Sequence, residues 1–220
     1  MNKLIIVLSL VMLVACGKAE KIVYVNTPAT TVETTDVIKL LVELENEWRL
    51  SQGQTVLSPG LTCSVQQVSS GQYLSTANGT PGAGQASMVL TGTKYMFLGT
   101  EGFNQPDSNA GTPNMIIPSS IRSLFLNNNY KINCAGFLVV EHDGHTPFQV
   151  SSDDGSILTV DGSVVINNDG NHSIVTKSGS KLLRRGVKSF NLAYAQTGGG
   201  KFGLVLKMDG EVIPGSRFYH

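Results

Sequence analysis

The sequence predicts an all-β fold, a sandwich or a barrel, preceded by one short α-helix. Short apolar runs recur between residues 137 and 206 and are separated by Gly, Asn and Asp, which is typical of such folds. Asp161-Gly162 stands between two of these runs, and Asp-Gly in that position is the strongest short-range signal for a β-hairpin. Gly contributes 24 of 220 residues, which favours a turn-rich β protein over a helical one.

Residues 151–156, Ser-Ser-Asp-Asp-Gly-Ser, lie at the centre of this region. The run 146–151 leads into the two carboxylates, and the runs 157–160 and 163–167 predict a hairpin after them. A type I′ turn requires positive φ at both central residues, which Asp161-Gly162 tolerates. Further strands are predicted over residues 60–65, 86–98, 187–196 and 201–208.

Two longer runs carry a second signal: GFLVVEHDGHTPFQVSSDDGSILTVDGSVVINNDGNHS and SGSKLLRRGVKSFNLAYAQTGGGKFGLVLKM. They resemble the protective-antigen-type domain, the PA14 module, whose SDDGS hairpin is followed by a turn of Asn, Asp, Gly and His. The resemblance is specific over residues 137–206 and looser over the rest of the C-terminal part. It implies an antiparallel β-sandwich, found in bacterial toxins, glycosidases and adhesins. Residues 54–220 are expected to form this PA14-like domain.

The same resemblance implies a calcium site. In carbohydrate-binding members of the family, a cis peptide joins the Asp pair, and the pair binds Ca²⁺, which sugar hydroxyls contact in turn. Asp153 and Asp154 would supply the first ligands here, since hard oxygen ligands suit Ca²⁺ and adjacent carboxylates repel without a cation. The alternative is a purely structural turn, in which the two carboxylates cap backbone N–H groups.

The remaining ligands in the sugar-binding members, an Asn and backbone carbonyls from a second loop, have no clear counterpart in this sequence. The candidates are Asn168, Asp169, Asn171 and Asp209. His172 stands where the family also tends to have His. The predicted glycan contacts are therefore Asn168, Asp169 and His172.

Two cysteines, Cys63 and Cys134, lie in predicted strands. An even number of unlipidated cysteines in an exported chain indicates one disulfide, and two buried thiols are the alternative. The bridge would close a loop of about 70 residues, which corresponds to about 4 kcal/mol in the chain-entropy description.

Residues 1–15 predict an export signal, because Lys3 precedes an apolar core that is shorter than the ~20 residues needed to span a bilayer. Leu13-Val14-Ala15-Cys16 resembles a bacterial lipobox, in which Cys16 is acylated, for example with palmitate, and becomes the first mature residue. An ordinary signal peptide with an incidental cysteine is the alternative. Gly17 rather than Asp follows Cys16, which favours the outer membrane. Acylation anchors a chain without spanning the bilayer.

Residues 16–35 predict a tether, and residues 36–53 predict the helix, with Gly53 placed to end it. Val37, Leu41, Leu44 and Trp48 would form a single apolar stripe. The stripe either packs on the β-domain or mediates oligomerisation through residues 36–52 as a short coiled coil. Packing is favoured because fewer than three heptads are present.

Charge and motifs exclude several functions. Lys+Arg and Asp+Glu both total 16, so no basic field favours nucleic acid. No Ser-His-Asp order or HExxH motif is present, and adjacent carboxylates do not give the ~5–9.5 Å separation of a glycosidase pair, so an enzyme is not predicted.

The sequence therefore predicts a lipoprotein of the bacterial envelope that carries an adhesin-type, carbohydrate-binding module. Its ligand would be a glycan or an envelope polysaccharide, calcium its cofactor, and the acylated Cys16 its contact with the membrane. The alternative is a structural or assembly lipoprotein that uses the sandwich and the helix stripe for protein contacts.

Overall fold

The structure, a computed structural model, describes residues 34–69, 74, 85–90, 129–197 and 203–220. The predicted leader, most of the tether, Cys16 and the rest of the predicted 86–98 strand lie outside these residues. Within them the chain forms α1 (Thr34–Ser51), β1 (Leu61–Gln67), β2 (Gln85–Leu90), β3 (Asn129–Val140), β4 (Gly144–Asp153), β5 (Ser156–Val160), β6 (Ser163–Asn168), β7 (Val175–Leu183), β8 (Gly186–Thr197), β9 (Gly203–Met208), β10 (Glu211–Val212), a 3-10 turn (Gly215–Arg217) and β11 (Phe218–Tyr219).

The strands form two antiparallel sheets. The larger has the order β2-β1-β3-β8-β5-β6, with β11 paired to β3, and the smaller has the order β10-β9-β4-β7. Buried apolar side chains from both sheets make one core, including Leu61, Ile132, Leu138, Phe148, Val150, Leu158, Phe190, Leu192, Leu204 and Leu206. The predicted all-β fold, an antiparallel sandwich preceded by one short helix, is confirmed.

Strand β4 shows why this sequence folds as a two-layer sheet structure. Thr146, Phe148, Val150 and Ser152 are buried, and the residues between them are partly or fully exposed. Successive side chains of a strand point to opposite faces, so alternate positions enter the core. The same strand therefore carries the chain through the smaller sheet and delivers the two carboxylates to its end.

The predicted β5–β6 hairpin is present, with Val160 opposite Ser163. Asp161 and Gly162 have φ values of 49° and 73°. Both central residues thus have the left-handed backbone that a type I′ turn requires.

The helix begins two residues before the predicted start, and Gly53 follows it with a φ of 69°. Its buried residues include Ile38 and Val42, which join a small cluster with Leu57 and Val139. Leu44 and Trp48 are each 54% exposed, so the prediction of a single buried stripe is wrong in its C-terminal half. Compared with the predicted stripe, the buried face of the helix is turned towards Ile38 and Val42, which provide the apolar surface that packs on the domain.

Polar contacts fix this rotation. The guanidinium of Arg49 lies 4.4 Å from the ring centroid of Phe137, and its Nε donates to Glu45 at 3.0 Å. The backbone N–H of Leu57 donates to Asn46 Oδ1 at 2.7 Å. Cation–π stacking and a satisfied backbone donor hold the helix against the larger sheet. Among the described residues, no helix is both long and apolar enough to span a bilayer.

The C-terminal residues complete the larger sheet. Ser58 and His220 exchange two backbone hydrogen bonds, of 2.9 and 2.8 Å. A Cβ atom at Gly136 would collide with the Tyr219 carbonyl and the Leu61 side chain, so only glycine lets the last strand approach β3 this closely. Arg217 forms an ion pair with Glu141 beside this strand.

The expected disulfide between Cys63 and Cys134 is present. The two residues are directly opposite each other in the β1–β3 pair, with Cα atoms 4.0 Å apart, and both are fully buried. The bridge therefore staples two neighbouring strands of the core sheet across a sequence separation of 71 residues.

Reduction should lower the free energy of unfolding by about 4 kcal/mol, because the open loop regains conformational entropy in the unfolded chain. Denaturant unfolding of oxidised and reduced protein measures the loss, and Cys63→Ala/Cys134→Ala should reproduce the reduced value. Two thiols that react with a labelling reagent in unreduced, denatured protein would contradict the bridge.

Candidate functional site

The two adjacent carboxylates lie where the chain passes from the smaller sheet to the larger one. Asp153 ends β4, opposite Gly203 of β9, and Ser156 begins β5. The peptide bond between Asp153 and Asp154 is cis, as the family resemblance implies. The pair thus sits at a junction between the two layers of the sandwich.

Asp154 is tied to the backbone on both sides. Its side chain is almost fully buried; Oδ1 accepts the N–H of His172 and Oδ2 the N–H of Thr197, both at 2.9 Å. It therefore holds the loop after β6 and the end of β8 to the junction. This is the capping role of the structural alternative, although each carboxylate oxygen keeps a second lone pair that can accept another contact.

Asp153 is in a different situation. Its side chain is only partly buried, and within the described residues its carboxylate accepts no hydrogen bond and forms no ion pair with Lys or Arg. Burial raises the pKa of Asp153 above its ordinary value, the negative charge of Asp154 raises it further, and His172 opposes the shift. The ionised Asp153 is thus an unbalanced negative charge next to a fixed one.

Tyr194 forms a hydrogen bond with the backbone of the Asp pair. Its hydroxyl donates to the Asp153 carbonyl at 2.5 Å and lies 2.9 Å from Gln196 Oε1. Burial raises the pKa of Tyr194 well above its ordinary value, followed by the effects of Tyr130 and the two carboxylates, so the phenol remains protonated as a donor. Its ring packs edge-on against Tyr130, which belongs to the core.

The loop after β6 wraps the other side of Asp154. His172 presents its two ring nitrogens to the carbonyls of Asn168, at 3.0 Å, and Ser173, at 2.9 Å. Asn171 Nδ2 lies 3.3 Å from the Thr197 carbonyl. A Cβ atom at Gly155 would lie 2.9 Å from Asp169 Oδ1, so glycine is required where the loop meets the Asp-Asp-Gly turn.

Asn168 belongs to the interior of this loop rather than its surface. It is fully buried, and its Nδ2 donates to Ser152 Oγ at 2.8 Å and to the Val175 carbonyl at 3.1 Å. Ser152 Oγ in turn lies 2.8 Å from Ser156 Oγ. The buried amide joins the ends of β4, β5 and β7, which gives Asn168 a structural task next to the carboxylates.

The structure thus brings Asn168, Asp169, Asn171 and His172 beside the Asp pair, as the predicted site requires. Their role as glycan contacts stays a prediction, and Asn168 has no exposed surface for one. Asp209 does not belong to this group of residues. It follows β9, and its Oδ2 lies 3.6 Å from His142 Nε2. Sequence reasoning missed Tyr194 and Thr197, because a phenol aimed at a carbonyl and a backbone N–H donor leave no motif.

The donor set can be tested against a cation. Among the described residues, no three His, Cys, Asp or Glu side chains cluster closely enough to hold a metal ion. Two carboxylates are therefore the charged ligands on offer, and neutral oxygens would complete the shell. That mixture fits Ca²⁺, which takes 6–8 oxygen ligands including carbonyls and water, better than a transition metal, which prefers nitrogen or sulfur.

The comparison with protein families identifies the domain. Residues 117–211 match the family described as the PA14 domain. This part of the chain is therefore similar to the PA14 domain family. The comparison with curated proteins gave no match.

Two solved structures share the fold with this chain at a TM-score of 0.50, and a third that is similar falls below that value. The PA14 domain of the MpAFP antifreeze protein is similar with a TM-score of 0.50 and 17% identity, covering 74% of this chain and 91% of that one. An anti-sigma factor domain-containing protein is also similar with a TM-score of 0.50, at 16% identity. The similarity covers 74% of this chain and 48% of that one, so this chain spans about half of that protein. A PA14 sugar-binding domain from an RTX adhesin is similar with a TM-score of 0.47 and 16% identity, covering 74% of this chain and 98% of that one. At such identities these likenesses concern the fold alone.

Replacing Asp153 with Asn should stabilise the protein at neutral pH without added metal, by roughly 2 °C in melting temperature for a chain of this size. The raised pKa means that the folded state favours protonated Asp153, so this contribution is present at low pH and is lost as pH rises through the raised value. The gain from Asp153→Asn should therefore disappear in acid, below the ordinary value of 3.8.

Thermal unfolding from acid to neutral pH in the presence of chelator measures this difference. Asp161→Asn is the matched control, since Asp161 is exposed at a turn position with positive φ that Asn also tolerates. Equal effects of the two substitutions at neutral pH would contradict the unbalanced charge at Asp153.

Proposed function

We propose that this PA14 domain is a carbohydrate-binding module in which Asp153 and Asp154 hold Ca²⁺, and that the chain presents it from the bacterial envelope through an acylated Cys16. The ligand is a glycan or an envelope polysaccharide. The proposed function is recognition or adhesion.

The observation that carries this proposal is the unequal pair of carboxylates. Asp154 is held by two backbone N–H groups, whereas the carboxylate of Asp153 accepts no hydrogen bond and forms no ion pair with Lys or Arg in the described part of the chain. Two like charges side by side are unfavourable unless a cation is shared or a proton is taken up. A divalent ion bound between them would remove the repulsion and use the remaining lone pairs.

The chain's own residues supply orientation. The backbone donors of His172 and Thr197 fix one carboxylate, and Tyr194 fixes the carbonyl of Asp153. A bound calcium ion would offer coordination positions for hydroxyl oxygens of a sugar. Because hydrogen bonds already fix these groups, little conformational entropy would be lost when the ligand binds.

The position of the site also suits a surface ligand. It lies at the end of the sandwich, where the loop after β6 and the Asp-Asp-Gly turn meet, and Asp169, Asn171 and His172 retain partial or full exposure there. Polar residues on loops that a rigid scaffold positions are a common form of binding site. Asp169 and His172 remain the proposed glycan contacts.

Calcium should raise the melting temperature of the wild type, because an ion that binds only the folded loop stabilises it by mass action, by about 2.7 kcal/mol at a hundredfold excess over Kd. Chelator should reverse the rise, and Mg²⁺ should give a smaller one because it demands octahedral geometry. Asp153→Asn should remove the response, while Asp161→Asn should keep it.

Asp153 is the better position to change, because Asn at 154 would lose an acceptor for one of two buried backbone donors and would destabilise the fold by about 1–3 kcal/mol. A glycan array probed with and without Ca²⁺ then tests recognition. Calcium-independent melting together with a blank array would contradict the proposal and favour the structural turn.

The anchor is tested separately. Cys16→Ala should leave the protein unprocessed by the lipoprotein pathway or release it as soluble material, since anchoring depends on the acyl chains attached to that residue. Metabolic labelling with a palmitate analogue should mark the wild type and not the variant. An unlabelled wild-type protein that is nevertheless exported would support the ordinary signal peptide instead.

A further inference from the structure

The helix carries a row of exposed apolar side chains. Leu40, Leu44 and Trp48 recur every fourth residue and are 47%, 54% and 54% exposed. Residues spaced by four lie one above another on a helix, so the three side chains form a continuous ridge. Within the described residues the hydrophobic cluster of the helix contains none of them. An exposed row that includes a tryptophan indicates an interaction surface.

The ridge is held in a fixed orientation. Ile38 and Val42 pack into the cluster with Val139, and Arg49 stacks on Phe137. These contacts occupy the opposite side of the helix, so the helix cannot rotate to bury the ridge without losing them. A surface that is already rigid costs little conformational entropy when a partner binds.

Acidic residues border the ridge on its solvent side. Asp36 stands one turn before Leu40 in the same row, and Lys39, Glu43 and Glu47 form the neighbouring row. Lys39 lies 3.9 Å from Glu43, an exposed pair. Three carboxylates against one ammonium leave this border with a net charge of −2 (1 − 3).

The charge decides between possible occupants. A second copy of the helix would bring the same acidic border to the contact, and an anionic lipid surface would be repelled by it. A helix with an apolar face and a Lys- or Arg-rich border is complementary in both respects. Ridges of one helix fit the grooves of another, which suits an occupant of the same geometry.

We propose that Leu40, Leu44 and Trp48 form a docking ridge for a basic amphipathic helix of a partner protein. The ridge is distant from the carboxylates: the helix cluster contains Val139 and Val187, which pair with each other, whereas Thr197, the donor to Asp154, lies ten residues further along β8. At ~3.3 Å per residue this places the two surfaces on the order of 30 Å apart. The partner can therefore bind while the other end of the domain holds a ligand.

Trp48 is the single tryptophan of the chain and gives a direct signal, because covering its ring shifts its emission to the blue. The full mature protein is titrated with a synthetic helical peptide of Leu and Lys in heptads, and in parallel with a Leu and Glu peptide of equal length. The basic peptide should give a saturable blue shift that weakens at high salt, and the acidic peptide should give none.

Variants locate the contact. Glu43→Lys/Glu47→Lys should weaken binding of the basic peptide about tenfold or more and allow the acidic peptide to bind. Leu44→Ser should weaken binding as well, whereas Leu182→Ser, at a residue 67% exposed on β7, and Glu211→Lys, an exposed acid on β10, should not. Circular dichroism shows whether each variant keeps the wild-type helix and melting curve.

Three results would overturn the proposal. Equal shifts with the two peptides would mean that the ridge has no charge preference. A shift that grows with protein concentration alone would assign the ridge to a second copy. A shift with phosphatidylcholine or phosphatidylglycerol vesicles, in Cys16→Ala protein and without peptide, would assign it to the membrane.

Discussion

The Asp154 carboxylate is the interaction on which this end of the domain depends. Its two oxygens accept the backbone N–H groups of His172 and Thr197, which belong to segments that no strand pairing joins directly. A buried carboxylate with two such donors is stabilised, and removing it would leave two backbone donors unsatisfied. The turn between the sheets, the loop after β6 and the end of β8 are therefore one structural unit.

Within that unit the two carboxylates differ. Backbone hydrogen bonds satisfy Asp154, whereas burial and then the negative charge of Asp154 raise the pKa of Asp153. Tyr194 contributes to this unit as well, because its hydroxyl donates a hydrogen bond to the Asp153 carbonyl. The structural and the proposed cation-binding interpretations of the Asp pair are thus compatible, because Asp154 has a structural role in the described residues and Asp153 accepts no hydrogen bond there.

Patterns within single strands could be read from the sequence, and contacts between distant segments could not. The β5–β6 hairpin was predictable because Asp-Gly favours the backbone geometry of a type I′ turn. The disulfide was predictable because Cys63 and Cys134 are the two cysteines left once Cys16 is assigned to the predicted lipobox. The extent of the buried face of the helix was not predictable, since Leu44 and Trp48 continue the helical spacing of Val37 and Leu41 and are nevertheless exposed. Contacts between distant segments, such as Arg49 on Phe137, accompany this orientation, and no local pattern contains them.

The exposed ridge of the helix and the Asp pair lie at different ends of the domain. The strands β3 and β8 run the length of the sandwich, with the helix packed where Val139 pairs with Val187 and the carboxylates near Thr197. In the sequence the helix follows the predicted tether, so the proposed anchor at Cys16 would be nearest, along the chain, to the helix. A partner at the ridge and a ligand at the carboxylates would then meet the protein from opposite sides, with the rigid sheet between them.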